Sequence, residues 1–263
     1  MIPRLLRGLC DDATLLQSGD TPLDSAVQQH LSYRDAAFSD LVGPLMIPIP
    51  RLDELTYVTE SLSISLIASG GPATVEAALD RMYAKSNLTV ATIEVALSDG
   101  TDITALGAVD PAIDVYVEIP RGQHRAEVFD AVDERGYHAT FRTGGVTADA
   151  YPGEQELAAA IHEAARREIS FKAVAGLDHA IRNTNADTGF EQHGYLNVLL
   201  AAQAAHSGAK ASDLVTILAL RDPEVLAQHV AAIETERAFL SFDTGNIRQL
   251  LDDLISLGLL PPM

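Results

Sequence analysis

A chain of 263 residues is long enough for one α/β barrel or for two average domains, and its 47% apolar content supports a large core. With 18 Lys and Arg against 37 Asp and Glu, the net charge is −19, which repels nucleic acid and anionic membrane and excludes both as partners. The single cysteine, Cys10, excludes an intrachain disulfide and a thiolate metal cluster.

Residues 1–42 read as an N-terminal helical segment packed on the body of the protein. Asp20-Thr21-Pro22 offers a cap with proline in the first turn, and Leu23, Val27 and Leu31 follow at helical spacing. Cys10 falls in this segment, as an ordinary half-buried thiol. Met1-Ile-Pro-Arg-Leu-Leu-Arg7 lacks the apolar core of a secretory leader. No stretch approaches the ~18 apolar residues of a membrane span, so a cytoplasmic location is expected.

Pro44-Leu-Met-Ile-Pro-Ile-Pro50, short, apolar and bounded by prolines, suits a first strand. A strand–helix rhythm then sets in. Leu62–Ala68 reads as a strand, and Ser69-Gly-Gly-Pro72 turns into a helix that carries Val75, Leu79, Met82 and Tyr83 on one face. Strands follow at 88–97 and 113–119, then a helix with Val128, Phe129 and Val132, stopped by Gly136. Tyr137–Thr143 is a strand ending in Gly144-Gly145, and the next helix has Leu157, Ala160, Ile161, Ala164 and Ala165 in one stripe.

The run Ile169-Ser-Phe-Lys-Ala-Val-Ala-Gly-Leu-Asp-His179 reads as a strand buried on both faces, with Lys172 alone among apolar neighbours. A lysine there is costly unless it is paired or unless a lowered pKa is put to use. An alanine-rich helix spans 194–212. Leu214–Leu220 fits a seventh strand and a helix equally, and Asp222-Pro-Glu224 starts a helix either way. The last strand is Ala238–Phe242, followed by Asp243-Thr-Gly-Asn246 and a helix through Ile247, Leu250, Leu251, Leu254 and Ile255. Repeated βα units of this spacing in one chain predict a single (β/α)8-like TIM barrel over 43–263, with seven or eight parallel strands.

Ligands of such barrels bind at the carboxyl ends of the strands. Glu94, Glu118, Arg142 and Lys172 stand there at successive intervals of 24, 24 and 30 residues. Two acids and two bases in one volume make either a buried ion-pair network or an active site whose groups tune one another. Gly144 and Gly145 could present backbone N–H groups to an anion, although a tight turn explains them equally well. Asp178 and His179 follow the Lys172 strand, with His179 placed as a general acid or base. Asp243 and Asn246 end the last strand. His193 reaches the mouth if the 182–192 loop folds inward, and otherwise caps the next helix. Dinucleotide-binding and phosphate-binding glycine motifs, His-x-His, His-Glu-x-x-His and Gly-x-Ser-x-Gly are absent, so no cofactor is expected. A magnesium site from Glu94, Glu118 and Asp243 has no spacing rule behind it.

Phe171-Lys-Ala-Val-Ala-Gly-Leu-Asp-His179, with Phe141-Arg-Thr-Gly-Gly145 and Gln192-His-Gly-Tyr-Leu-Asn-Val198, resembles a family of uncharacterised bacterial barrel proteins. Members of that family carry Phe-Lys-Ala-Thr-Ala-Gly-Leu-His-His and His-Gly-Phe-Leu-Asn segments. The resemblance covers roughly the C-terminal half and implies a barrel with Arg142, Lys172, His179 and His193 at its site. The chain departs from the pattern at Asp178, where histidine is expected, and at Asp243-Thr-Gly-Asn246, where a Gly-Ser-Cys-Ser-like turn is expected. A looser similarity is to class I aldolases, whose Schiff-base lysine lies on a late barrel strand, as Lys172 does on the predicted sixth.

Three functions are therefore expected in turn. The first is a carbon–carbon lyase acting on a small anionic carbonyl compound. In it Lys172 is nucleophile or electrostatic catalyst, Arg142 with Gly144 and Gly145 holds the anion, and Glu118 or His179 moves protons. The second is a non-catalytic ligand-binding or assembly protein in which Lys172 and Glu118 form a structural ion pair. The third is a metal-assisted hydrolase. Homo-oligomerisation is left open.

Overall fold

The computed structural model describes residues 2–17, 21–55, 58, 60–85, 87–97, 103–233 and 237–262. Its strands in chain order are β1 Cys10–Asp12, β2 Val42–Pro48, β3 Leu62–Ala68, β4 Leu88–Val95, β5 Asp114–Glu118, β6 His138–Arg142, β7 Phe171–Val174, β8 Asn183–Thr184, β9 Glu191–Gln192 and β10 Phe239–Thr244. Eight of them close an all-parallel barrel in which each pairs with the next and β10 pairs with both β7 and β1. The exceptions, β8 and β9, form a short antiparallel hairpin outside it. The architecture is that of a TIM-type α/β barrel.

The helices are α1 Thr14–Gln17, α2 Leu23–Arg34, α3 Val75–Tyr83, α4 Arg125–Arg135, α5 Glu154–Arg166, α6 Tyr195–His206, α7 Ala211–Leu218, α8 Pro223–Ala231 and α9 Ile247–Ser256. Short 3-10 turns at Ile49–Glu54 and Ile103–Leu106 stand where full helices would follow β2 and β4. Gly136 ends α4 in the left-handed conformation, φ 65°, with its N–H returned to Asp133 and Val132 carbonyls. None of the helices of the described residues is long and apolar enough to cross a membrane.

One expectation is corrected and one open alternative is decided. The N-terminal segment is not wholly helical: Cys10–Asp12 is the first stave of the barrel, pairing in register with Phe242–Thr244 and, across a register shift, with β2. Three residues ending in two aspartates carry no apolar run, so alternation had nothing to register. The count shifts accordingly, and Lys172 lies on the seventh barrel strand, not the sixth. Of the ambiguous 214–220 stretch, residues 214–218 belong to a helix, α7, which buries Leu214 and Leu218 one turn apart against α5 and α6. Thr21 and Pro22 precede α2, with Pro22 at its N-cap, while Asp20 lies outside the described residues.

Alternation along each stave sorts the side chains. On β6, Ala139 and Phe141 face the helices, while Thr140 and Arg142 face the interior. An aromatic run, Phe129–Phe141–Phe171–Phe239, stitches α4 to three staves at centroid separations of 6.2, 4.7 and 5.5 Å. Each such side chain stabilises the fold by ~1.5–3 kcal/mol. The apolar core thus lies mainly between barrel and helices, and the barrel interior mixes polar groups with a few apolar side chains such as Met46 and Ile67.

Candidate active site at the carboxyl ends of the strands

The interior is organised around Lys172, which is 1% exposed. Its ammonium donates to Asp11 Oδ2 on β1 and to Glu94 Oε1 on β4, and lies 5.3 Å from the centroid of the Tyr116 ring. Ser241 Oγ donates to the same Asp11 oxygen at 3.0 Å, and Ser65 Oγ to Glu94 Oε1 at 3.3 Å. Burial works against the charged ammonium, but Asp11 and Glu94 together outweigh it and hold the Lys172 pKa above its ordinary value. Burial raises Glu94 despite the lysine beside it. One cation serving two carboxyls leaves the second carboxyl without full compensation, which is why Glu94 moves up while Lys172 stays charged.

Above this triad a cavity of about 510 Å³ opens at the mouth. Its polar lining includes Glu94, Glu118, Thr140, Arg142, Asp178 and Asp243, on walls that include Met46, Ile67 and Val174. Lys172 and Asp11 lie beneath the floor and do not line it. Arg142, 42% exposed in its side chain, grips Glu118 bidentately, Nε to Oε1 at 2.8 Å and Nη2 to Oε2 at 2.9 Å. This bond with Glu118 raises the arginine further against the cost of burial.

Asp243 sits on the wall formed by β10. Burial raises its carboxyl to about 7; the Ala175 N–H lowers it, and nearby Glu94 raises it again. The Ala175 amide donates to Asp243 Oδ1 at 2.6 Å, leaving Oδ2 for the cavity. Ala175 reaches this position with φ 61°, a left-handed conformation that costs an L-residue ~1–2 kcal/mol, and Gly176 continues at φ 76°. Strain stored at the cavity wall thus aims one N–H at one carboxylate.

The remaining expected residues scatter. Gly145 lines the cavity, but Gly144 does not, and no anion cradle forms around it. A Cβ on Gly144 would stand 2.7 Å from Gly176 Cα, so the glycine is there because two βα loops touch. Asp178 lines the mouth and accepts from Gln192 Nε2 at 3.1 Å. His179 points away from the cavity, 46% exposed in its side chain and 3.8 Å from Asp253 on α9. Asn246 caps α9 through Gln249 N at 3.1 Å. His193 is buried away from the mouth. Its Nε2–H donates to Pro152 O at 2.8 Å, its Nδ1 accepts from Arg182 at 3.1 Å, and burial lowers its pKa to about 4. It is a neutral structural histidine, and not the helix cap that was its alternative. The expected Lys172–Glu118 pair is replaced by two separate pairings, Lys172 with Asp11 and Glu94, and Glu118 with Arg142.

No protein-family model matches the chain, and no curated protein or solved structure gives a match. The site therefore rests on its own chemistry. Among the described residues no group of three or more His, Cys, Asp or Glu side chains is arranged to hold a metal ion. Cys10 is buried against Leu41 O, and burial raises its thiol well above the ordinary range, so it is not a nucleophile.

Asp11, Thr140, Ser65 and Ser241 escaped the sequence reading. Thr140 had a usable signal, since it stands two residues before Arg142 and shares its face of the strand. Asp11 had none beyond an acidic pair between Leu9 and Ala13.

Proposed function

We propose that the protein is a barrel enzyme of lyase type, and that it transfers a proton next to the carbonyl of a small substrate held in the mouth cavity. The observation that carries this is Asp243, a carboxyl titrating at about 7 in a cavity wall, with one oxygen fixed by a backbone amide. A general base works best with a pKa near the operating pH, and such groups concentrate at active sites. Asp243 takes the role expected of Glu118 or His179, because Glu118 is committed to Arg142 and His179 faces away from the cavity. Arg142 at the rim is the donor available to an oxygen that gains charge.

Lys172 enters as a fixed charge beneath the floor. Covalent attack on a carbonyl would require its amine neutral and exposed, whereas Asp11 and Glu94 hold it charged and out of reach. A lysine this enclosed is scaffold in the enzyme reading and equally in the second one, a non-catalytic binding protein.

Exchange of carbonyl-adjacent protons in deuterated buffer, followed by proton NMR, separates the two. The probes are aminoacetone, dihydroxyacetone, dihydroxyacetone phosphate and pyruvate. At least one should exchange faster with the protein than without it, and Asp243→Asn should lower that rate by about a hundredfold to ten-thousandfold. The base acts ionised, so the rate should be low in acid and rise to a plateau as the pH passes about 7. Exchange that ignores Asp243→Asn, or borohydride trapping of Lys172 on any probe, would overturn this mechanism. Tight binding without exchange would favour the second reading.

A further inference from the structure

The charges in and under the cavity do not balance. Among the described residues that line the cavity or pair beneath it, Asp11, Glu94, Glu118, Asp178 and Asp243 outnumber Lys172 and Arg142, and Arg142 is held bidentately by Glu118. Lys172 is shared by two carboxyls. A phosphate or carboxylate entering here would meet this surplus of acid and an Arg142 whose charge is already paired with Glu118 through Nε and Nη2.

A second, independent feature lies at the floor. Thr140 is 3% exposed, lines the cavity, and its Oγ1 is buried with no hydrogen-bond partner. Leaving a hydroxyl unpaired costs ~1–3 kcal/mol in a folded interior, and such a group is satisfied by what binds. Thr140 is the register partner of Lys172 on the adjoining stave, so it stands beside the Lys172–Glu94 contact. Ser65 and Lys172 both donate to the same Glu94 oxygen, Oε1, and Glu94 itself lines the cavity. A buried acceptor and a carboxyl with incomplete compensation therefore share one patch of floor.

We infer that this patch receives an ammonium group, and that the substrate is a small amino-carbonyl compound rather than a phosphorylated or carboxylated one. This rests on the mouth cavity being the active site, as proposed above. The ammonium donates to Thr140 Oγ1 and sits against Glu94, which places the adjoining carbon and carbonyl higher in the cavity, toward Asp243 and Arg142.

Aminoacetone, dihydroxyacetone and dihydroxyacetone phosphate share a three-carbon ketone skeleton and differ in charge. Their affinities for the intact protein, measured by calorimetry at one pH and ionic strength, should fall in that order. Thr140→Val removes an unpaired hydroxyl, so it should leave the melting temperature unchanged or higher. Aminoacetone affinity should nonetheless drop about threefold to tenfold, a single hydrogen bond's worth, and Thr140→Ser should restore it. Dihydroxyacetone binding as tightly as aminoacetone would sink the ammonium assignment, and dihydroxyacetone phosphate binding tightest would reverse it. If the phosphate also exchanges protons fastest, the catalytic reading stands while this inference falls. If none of the three binds, both fall together.

Discussion

Lys172 shows how much a single buried charge depends on its company. Its ammonium is buried, with two carboxyl partners and an aromatic face. Removing one member of such a set costs more than the set contributes, because the remaining charges stay buried without compensation. Lys172→Ala should therefore lose roughly 3–5 kcal/mol at neutral pH. The sign of its pH dependence comes from Asp11 and Glu94, which without the lysine face only each other. Glu94, already raised by burial, loses the cation that held it down, so the deficit should shrink as acid protonates it and widen as the pH climbs. Chemical denaturation of wild type and variant across pH 4–8 reads this directly, and a deficit independent of pH would mean that the triad is not what holds the lysine. The lysine was legible in the sequence as a costly charge in an apolar strand, but its partners were not. Glu94 and Glu118 stood as alternatives of the same type, and only the stagger of the staves decides which one reaches Nζ.

At the scale of elements, the loops after β6 and β7 matter most to the cavity, because they press together where it is walled. Gly144 and Gly176 meet backbone to backbone, and a methyl group on Gly144 would overlap Gly176 Cα and the Tyr151 ring edge. Gly144→Ala should cost about 1–3 kcal/mol of stability, the usual scale for overpacking, and should disturb the Ala175 amide that fixes Asp243. A thermal melt alongside the exchange assay checks both effects; an unchanged melt would mean the loops part freely. Helices and strands with long apolar patterns were legible because burial on one face repeats along them, as with Leu157, Ala160, Ile161 and Ala164 on α5. Two elements were not. β1 is three residues long and acidic, so only pairing with β10 and β2 makes it a strand. α7 presents an apolar run whose helical character comes from packing Leu214 and Leu218 on α5 and α6.

Over the whole molecule the net charge of −19 opposes compactness. Exposed pairs such as Arg166–Glu163 and Arg81–Asp53 contribute ~0–1 kcal/mol each and do not offset a field of that size. Screening should win over the loss of those pairs. Raising salt from ~10 mM to ~150 mM cuts the screening length from ~30 Å to ~8 Å, and should raise Tm by about 2–4 °C in scanning calorimetry. A falling Tm would show that the ion pairs outweigh the repulsion. The barrel's closure has a different kind of consequence. Its first stave is clasped by groups far along the chain: Lys172 and Ser241 reach Asp11, and Arg237 donates to the carbonyls of Leu5, Arg7 and Gly8. During synthesis, Asp11 leaves the ribosome long before any of these partners exists. The nascent chain must carry that carboxylate and its unpaired strand edge exposed until β10 emerges, so the barrel closes only after its other seven staves have been made, and the earliest stave is among the last elements to find its place.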